Sequence, residues 1–510
     1  MSWRGPGLLG LCLLMGVLQV LLLIPTFGVS LNSIPDEGTV ALQAMNVLKG
    51  LVPHRDYFIL TPISSDYWVG AWFFVFGTSL ESLRCYFILE MAVAAAALQY
   101  FSARLLPRGW SELAPLCFMC HAPFCWYIPS PRWDAGVFLL LALCLIHGPP
   151  RRLIFSGILV AMAALTQHPA GAAGAAGITL ALVLQREAGW PAVRAFWGGI
   201  LLLWLPFLGF LWAHDLVANF LNDTIYFTLN NYVAAHKVSV DWSSFLPNFV
   251  AAGQTWQAGG TLNSLLIFGY AVVDLVTYGG WFALTSLIVL LSLKLRRREL
   301  LCLALCLAFL TLLEAVRPNR YHFTFHMPFV LLALFYLLHR LGKVGAVISA
   351  FLLACHALVA LGHVRSVQMS NIPVAMPMGT TYVREQGRAQ ALHQILQVNS
   401  SFPPAEKLFV FPDDPELQWL LGRGPATRDV AALPCFYSYP HFQSIREGLR
   451  QDGVENLLFV PMVLDFTAYP TISQKDHDRE QKWLLEFLGQ GYRPYKQAAG
   501  LTFYRRQDLP

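Results

Sequence analysis

A series of long apolar segments constrains this chain more than any other feature of its sequence. An apolar stretch of about 20 residues can cross a bilayer as a helix, which satisfies its own backbone hydrogen bonds. The chain is 56% hydrophobic and 13% charged, whereas a soluble domain has about 25% charged residues. These properties predict a polytopic α-helical membrane protein. About eleven spans are predicted, at residues 8–30, 82–101, 112–129, 135–148, 153–166, 171–185, 195–213, 274–293, 300–316, 323–339 and 344–363.

The basic residues provide an independent test of this topology. With eleven spans, every basic cluster falls on one side of the membrane, which the positive-inside rule assigns to the cytoplasm. The clusters are Arg4, Arg104 and Arg108, Arg151 and Arg152, Arg186 and Arg194, Lys294 with Arg296, Arg297 and Arg298, and Arg340 with Lys343. The net charge of +5 therefore reflects cytoplasmic loops and does not indicate binding to nucleic acid. The odd number of spans places the C-terminal region outside.

The chain after about residue 364 has the polarity of a soluble domain. Residues 407–411 and 456–460 are predicted buried strands, and residues 415–421, 442–451 and 475–489 are predicted helices. Strands that alternate with helices indicate a small α/β domain. We therefore expect a transmembrane catalytic domain at 1–363, with its first external loop at 31–81, and an extracytoplasmic α/β domain at 364–510.

Most of the ten cysteines lie inside apolar segments. Cys117-x-x-Cys120 is within one such segment and has no matching pair elsewhere. This pattern is typical of buried structural cysteines, so the sequence predicts no metal site and no disulfide framework.

An acidic pair, Asp36-Glu37, follows the first apolar segment. Residues 38–49 have apolar side chains at helical spacing and are predicted to form a helix that lies in the membrane interface. Ser33-x-x-Asp36 matches a capping box, so helix capping is one interpretation. A cap would also fix a carboxylate for general-base chemistry. Because neighbouring helical residues project about 100° apart, one carboxylate would act as the base and the other would orient the acceptor or a metal.

The predicted external loops also contain basic residues, against the positive-inside trend, and an anionic ligand at the outer leaflet would explain them. Arginine suits phosphate because its planar fork donates two hydrogen bonds at once. The alternatives are a surface salt bridge at 54–56, an interfacial anchor at 132–134 and a helix-breaking corner at 168. The predicted phosphate-binding residues are His54, Arg55, Asp56, Arg132, Asp134, His168, Arg317, Arg320 and His322.

These motifs resemble those of the GT-C glycosyltransferases that use polyprenyl-phosphate sugars, such as protein O-mannosyltransferases and the lipid A aminoarabinose transferase. Asp36-Glu37-Gly38 is similar to the acidic motif of that family's first external loop, and Val52-Pro-His-Arg-Asp-Tyr-Phe58 to the stretch that follows it. Arg317-Pro-Asn-Arg-Tyr-His322 is similar to the late basic external loop. Relatives often carry a lysine where this chain has Gln167-His168.

The resemblance implies a glycosyltransferase of a bacterial inner membrane, with an external active site and an inverting reaction. Asp36 would be the catalytic base, Glu37 would support it, and the external arginines would hold the donor phosphate. The donor would be a polyprenyl-phosphate sugar and the acceptor a hydroxyl of a lipid, glycan or protein; whether a divalent metal takes part stays open. The residues alone leave two alternatives: a transporter or flippase for lipid-linked substrates, and a non-catalytic envelope assembly protein.

Overall fold

The computed structural model describes residues 6–29, 36–185, 189–232, 246–314, 323–411, 414–427, 447–460, 482 and 486–508. Within these ranges the chain is mainly helical up to residue 368. The helices are α1 (Pro6–Leu23), α2 (Asp36–Leu48), α3 (Ser64–Phe76), α4 (Leu80–Leu105), α5 (Leu113–Cys125), α6 (Pro131–Leu145), α7 (Pro150–Thr166), α8 (His168–Leu184), α9 (Gly189–Ala213), α10 (Val217–Leu221), α11 (Leu246–Gln257), α12 (Thr261–Asp274), α13 (Trp281–Leu295), α14 (Arg298–Glu314), α15 (Met327–Arg340), α16 (Lys343–Gln368), α17 (Gln386–Asn399) and α18 (Pro415–Leu420). The strands are β1 (Ile372–Met376), β2 (Gly379–Val383), β3 (Leu408–Phe411), β4 (Asn456–Phe459), β5 (Tyr492–Ala498) and β6 (Leu501–Arg506).

A helix overlaps each predicted span. Within the described ranges, five helices are long and apolar enough to cross a membrane: Gly7–Thr26, Leu80–Leu105, Gly189–Ala213, Thr261–Gly279 and Lys343–Gln368. The segment predicted at 274–293 differs, because α12 continues as a π-helix through Gly279 and α13 begins only at Trp281. The prediction also missed α11 and α12. The polar residues of α11, such as Asn248 and Gln254, reduce its apolar signal. α12 is apolar enough to be a candidate span, but the predicted span began only at its last residue, Asp274.

The loops that carry basic residues meet at one end of the helical bundle. Arg297 donates to the carbonyl of Arg104 (3.1 Å). Arg298 donates to the Gln185 side chain (2.7 Å) and to the carbonyl of Ile146 (3.3 Å). We call this the basic end. The structure thus groups these loops on the same side, as the charge pattern predicts.

The opposite end, which we call the site end, is covered by the first loop and by the C-terminal elements. Apolar residues of α2 and α3 share one hydrophobic core with β1, β2, α17, β3 and α18, separate from the core of the bundle. The β1–β2 hairpin holds both ends of the loop. Tyr382 N donates to the carbonyl of Gly28 (2.9 Å), and Leu80 N donates to the carbonyl of Met378 (2.6 Å). The first loop is therefore packed against β1, β2 and their turn, which lie far later in the chain.

The C-terminal residues also form a four-stranded sheet in the order β3-β4-β6-β5. β3 and β4 pair in parallel, from Leu408 opposite Asn456 to Phe411 opposite Phe459. β4–β6 and β6–β5 are antiparallel. The predicted strands at 407–411 and 456–460 and the predicted helix at 415–421 are confirmed. β5 and β6 were missed because lysine and arginine residues interrupt their apolar pattern.

Two glycines allow α7 and α9 to meet backbone to backbone. A Cβ atom on Gly199 would lie 2.0 Å from the carbonyl oxygen of Ile154, and one on Gly157 would lie 2.0 Å from that of Phe196. Small residues permit such close helix crossings inside membranes, where dispersion contacts hold helices together.

We expect Gly199→Val to destabilise the bundle, because the larger side chain must push two backbones apart. Overpacking of this kind costs about 1–3 kcal/mol or more. The matched control is Gly198→Val, since a Cβ atom on Gly198 meets no heavy atom within 4 Å. Thermal unfolding of the purified protein in detergent measures both. An equal loss of stability in the two variants would contradict the proposed crossing.

Candidate active site

A buried ion pair lies at the centre of the site end. The Glu37 and Arg84 side chains are each 1% exposed, and Arg84 Nη2 donates to Glu37 Oε2 at 2.7 Å. The same guanidinium donates to the carbonyls of Val29 (2.7 Å) and Tyr127. Burial raises the pKa of the Glu37 carboxyl, and Arg84 opposes that rise. Arg84 therefore joins the first turn of α2 to the end of α1 and to the loop after α5.

Asp36 has a different environment from its neighbour. It is the first residue of α2 and is exposed, whereas Glu37 is buried. A carboxylate at this position lies close to the free amides of the first helical turn, which favour its charged form. The structure thus separates the two carboxylates, as their helical spacing predicts. Ser33 of the predicted capping box lies outside the described residues.

A second buried polar contact involves His54 of the first loop. His54 is fully buried, and its Nδ1 lies 3.1 Å from Oδ2 of Asp223, whose side chain is 4% exposed. The Asn219 side chain donates to the His54 carbonyl at 3.1 Å. His54 has a φ of +66°, a conformation that is uncommon outside glycine and often marks a constrained site. α10 and the π-helix after it therefore hold both the ring and the backbone of His54.

Arg55 and Asp56 form a pair at the surface. Arg55 Nε and Nη2 donate to the two Asp56 carboxylate oxygens at 2.9 and 2.7 Å. Asp56 also accepts from Val52 N at 2.7 Å. The Arg55 side chain is 47% exposed, so it can reach a ligand at the surface if it exchanges Asp56 for that ligand.

Asp134 links α6 to the first loop. It is buried and accepts hydrogen bonds from Ser65 Oγ (2.6 Å) and from the Tyr86 hydroxyl. Arg132, two residues earlier, lies over the Phe325 ring at 5.6 Å. Two interpretations of 132–134 are a binding role and an interfacial anchor. Asp134 is fixed inside the site end, as a binding role would need, whereas Arg132 packs on an aromatic ring, as an anchor would.

His168 begins α8 directly after the break at Gln167, and its Nδ1 donates to the carbonyl of Ala164 (3.0 Å). The Phe220 ring packs edge-on against both His168 and His54, at 5.4 and 5.2 Å between ring centroids. The structure therefore brings together the two histidines, which are more than 100 residues apart in sequence.

The third predicted basic group, Arg317, Arg320 and His322, lies outside the described residues. Among the residues that the structure does describe, no three His, Cys, Asp or Glu side chains are grouped so that they could hold a metal ion. The sequence prediction missed Arg84 and Asp223. A charged residue inside an apolar span is a recognisable signal, so Arg84 could have been found. Asp223, in a long loop, carries no such signal.

Comparison with solved structures identifies the fold. A crystal structure of ArnT from Cupriavidus metallidurans bound to undecaprenyl phosphate has a TM-score of 0.59 and 12% sequence identity, over 98% of each chain. The apo form of the same enzyme has a TM-score of 0.56 and 13% identity, over 97% of each chain. This chain has the GT-C glycosyltransferase fold. The predicted resemblance is confirmed at the level of the fold.

A crystal structure of an oligosaccharyltransferase from Archaeoglobus fulgidus has a lower TM-score of 0.48 and 11% identity, over 99% of this chain and 74% of the other. No known protein-family profile matches the sequence, and no curated protein matches it.

The buried carboxyl of Asp66 gives the site end a pH-dependent stability. Asp66 accepts a hydrogen bond from the Tyr57 hydroxyl (2.8 Å), and burial raises the pKa of Asp66 to about 7. An unfolded chain has an aspartate pKa of about 3.9. The folded protein therefore binds this proton more tightly, and its stability falls as the pH rises between about 4 and 7, by at most about 1.4 kcal/mol per pH unit.

We expect Asp66→Asn to remove this contribution, because asparagine still accepts from Tyr57 but cannot titrate. Unfolding midpoints in detergent, measured between about pH 5 and 8, compare the slopes of the wild type and the variant. Asp452→Asn, at an exposed position, is the control and should keep the wild-type slope. The same slope in Asp66→Asn and wild type would show that Asp66 is not the titrating group.

Proposed function

We propose that the protein is a membrane glycosyltransferase that moves a sugar from a polyprenyl-phosphate donor to a hydroxyl acceptor, with inversion at the anomeric carbon. The observation that supports this proposal most strongly is the GT-C fold over almost the whole chain, with the Asp36-Glu37 motif held at the site end by Arg84. The ArnT structure with this fold was solved with undecaprenyl phosphate bound, and a polyprenyl carrier is therefore the proposed donor lipid.

The reaction needs one base and a group that stabilises the leaving phosphate. The acceptor hydroxyl attacks the anomeric carbon opposite the phosphate, so a new glycosidic bond forms while the bond to the phosphate oxygen breaks. Asp36 accepts the hydroxyl proton, a contribution typically worth about 10²–10⁴-fold in rate. The leaving phosphate takes the electron pair, and nearby cationic donors stabilise its growing charge. A single displacement inverts the configuration.

The proposed roles of Asp36 and Glu37 differ because their carboxylates have different environments. Asp36 is exposed and able to meet an acceptor. Glu37 is held by Arg84, and removal of one partner from a buried pair typically costs about 3–5 kcal/mol. Glu37 therefore fixes the helix turn that carries Asp36. The proposed residues of the substrate and donor-phosphate site are His54, Arg55, Asp56, Arg132, Asp134, His168, Arg317, Arg320 and His322. Within it, Arg55 binds the phosphate while Asp56 or His54 orients it.

The proposed orientation places the basic end in the cytoplasm, as the positive-inside rule requires. The site end and residues 364–510 are then external. α12 belongs to a candidate membrane span, whereas α11 does not. Because α11 and α12 pack against each other, the proposed orientation treats them as a hairpin that enters and leaves the membrane on the same side. They therefore leave the odd parity of the eleven predicted spans unchanged. A polyprenyl-phosphate donor in the outer leaflet would meet the site directly.

We expect this orientation to be visible by cysteine labelling of intact spheroplasts. Ser400→Cys, in the external region, should react with a membrane-impermeant maleimide, whereas Lys343→Cys, at the basic end, should react only after lysis. Both positions are exposed. Labelling is measured above the background of the native cysteines. Protection of the residue at 400 together with labelling at 343 would reverse the topology.

The enzymatic proposal is tested with Asp36→Asn. Asparagine can still cap the first turn of α2, but it cannot accept a proton. Turnover with a defined polyprenyl-phosphate sugar should fall on the order of 10²-fold or more, while binding of undecaprenyl phosphate stays close to wild type. Glu37→Gln should lose less turnover. Asp452→Asn, at a distant exposed position, is the control.

Mass spectrometry of envelope glycans, with and without the protein, identifies the transferred sugar.

A transporter would still move its substrate in the Asp36→Asn variant, and an assembly scaffold would still support the envelope. Near-normal sugar transfer by purified Asp36→Asn would therefore exclude Asp36 as the base.

A further inference from the structure

α18 of the C-terminal region crosses α2 at the acidic motif. A Cβ atom on Gly38 would lie 2.1 Å from Glu416 N and 2.4 Å from the carbonyl carbon of Pro415. Both are backbone atoms, which cannot rotate away as the end of a side chain can. Any residue larger than glycine at position 38 must therefore push α18 away from α2. Gly38 directly follows the Asp36-Glu37 pair, so this contact lies within the same helical turn.

Glu416 is buried where α18 meets α2, with 4% of the residue exposed. Its backbone nitrogen and α carbon are the atoms that a Cβ atom on Gly38 would approach most closely. In the same turn of α2, Glu37 is held by Arg84, which also donates to the Tyr127 carbonyl. The C-terminal region thus packs directly on the helical turn that carries the buried ion pair.

α18 is itself fixed to the four-stranded sheet. Asp414 caps the helix by accepting from Leu417 N at 2.9 Å. The Gln418 side chain accepts from Val410 N in β3 (3.2 Å) and donates to the carbonyl of Gly424 (2.9 Å). Trp419 is fully buried. These contacts fix the position of α18 relative to the sheet, and α18 in turn contacts the acidic motif of α2.

We infer that the C-terminal region completes the acidic site: Gly38 admits α18 to the first turn of α2, and α18 fixes the turn that carries the Asp36-Glu37 pair. Gly38 is a positioning residue, which acts through the position of α2 without touching the reacting atoms. The catalytic part of this inference rests on the proposed function.

The packing part is tested with Gly38→Ala in the full-length protein. Hydrogen–deuterium exchange should rise in residues 36–48 and 414–427, and turnover should fall on the order of 10²-fold, as expected for a misplaced catalytic group. KM for the polyprenyl-phosphate donor should change little. Gly387→Ala is the matched control, because it lies in α17 of the same region and its added Cβ atom meets nothing within 4 Å. Unchanged exchange or unchanged turnover in Gly38→Ala overturns the inference.

If the wild type transfers no sugar, the proposed function fails, and the exchange measurements still decide whether Gly38 and α18 are coupled.

Discussion

The ion pair between Glu37 and Arg84 is the interaction on which the site end depends. Both charges are almost fully removed from solvent, and a buried charge without a partner is strongly unfavourable. Arg84 extends from α4 and, in addition to Glu37, binds two backbone carbonyls. One side chain therefore fixes α1, α2, α4 and the loop after α5 relative to one another. The exposed carboxylate of Asp36 obtains its position from this arrangement.

The two ends of the bundle differ in how they use charge. At the basic end, arginines bind carbonyls and side chains of neighbouring loops and join the helix ends. At the site end, buried carboxylates are paired with specific donors: Glu37 with Arg84, Asp66 with Tyr57, and Asp134 with both Ser65 and Tyr86. Apart from Arg84, these donors are neutral hydroxyl groups, so they add no positive charge. Asp36 and Arg55 are exposed at the same end.

The parts of the fold that could be predicted are those encoded by local sequence. Apolar composition located the long helices, and apolar spacing at 38–49 located α2, because both patterns depend only on neighbouring residues. The pairing of Glu37 with Arg84 joins positions 47 residues apart, and that of His54 with Asp223 joins positions 169 apart. Neither pairing has a periodic signature. α11 was missed because polar side chains dilute its apolar character, whereas α12 was missed because the predicted span was placed too late in the sequence.

The shared core of the first loop and the C-terminal strands has a consequence for biogenesis. A ribosome synthesises residues 36–76 long before it synthesises β3 and α18, and domains generally fold as units in the order of synthesis. The surface of α2 that receives Leu417 and Trp419 stays without its partner until translation is nearly complete. The packing around the acidic motif is therefore completed last. A truncated or stalled chain inserts its helices but lacks the contact between α18 and α2. Such a chain presents an unpaired apolar surface, which quality-control proteases can recognise.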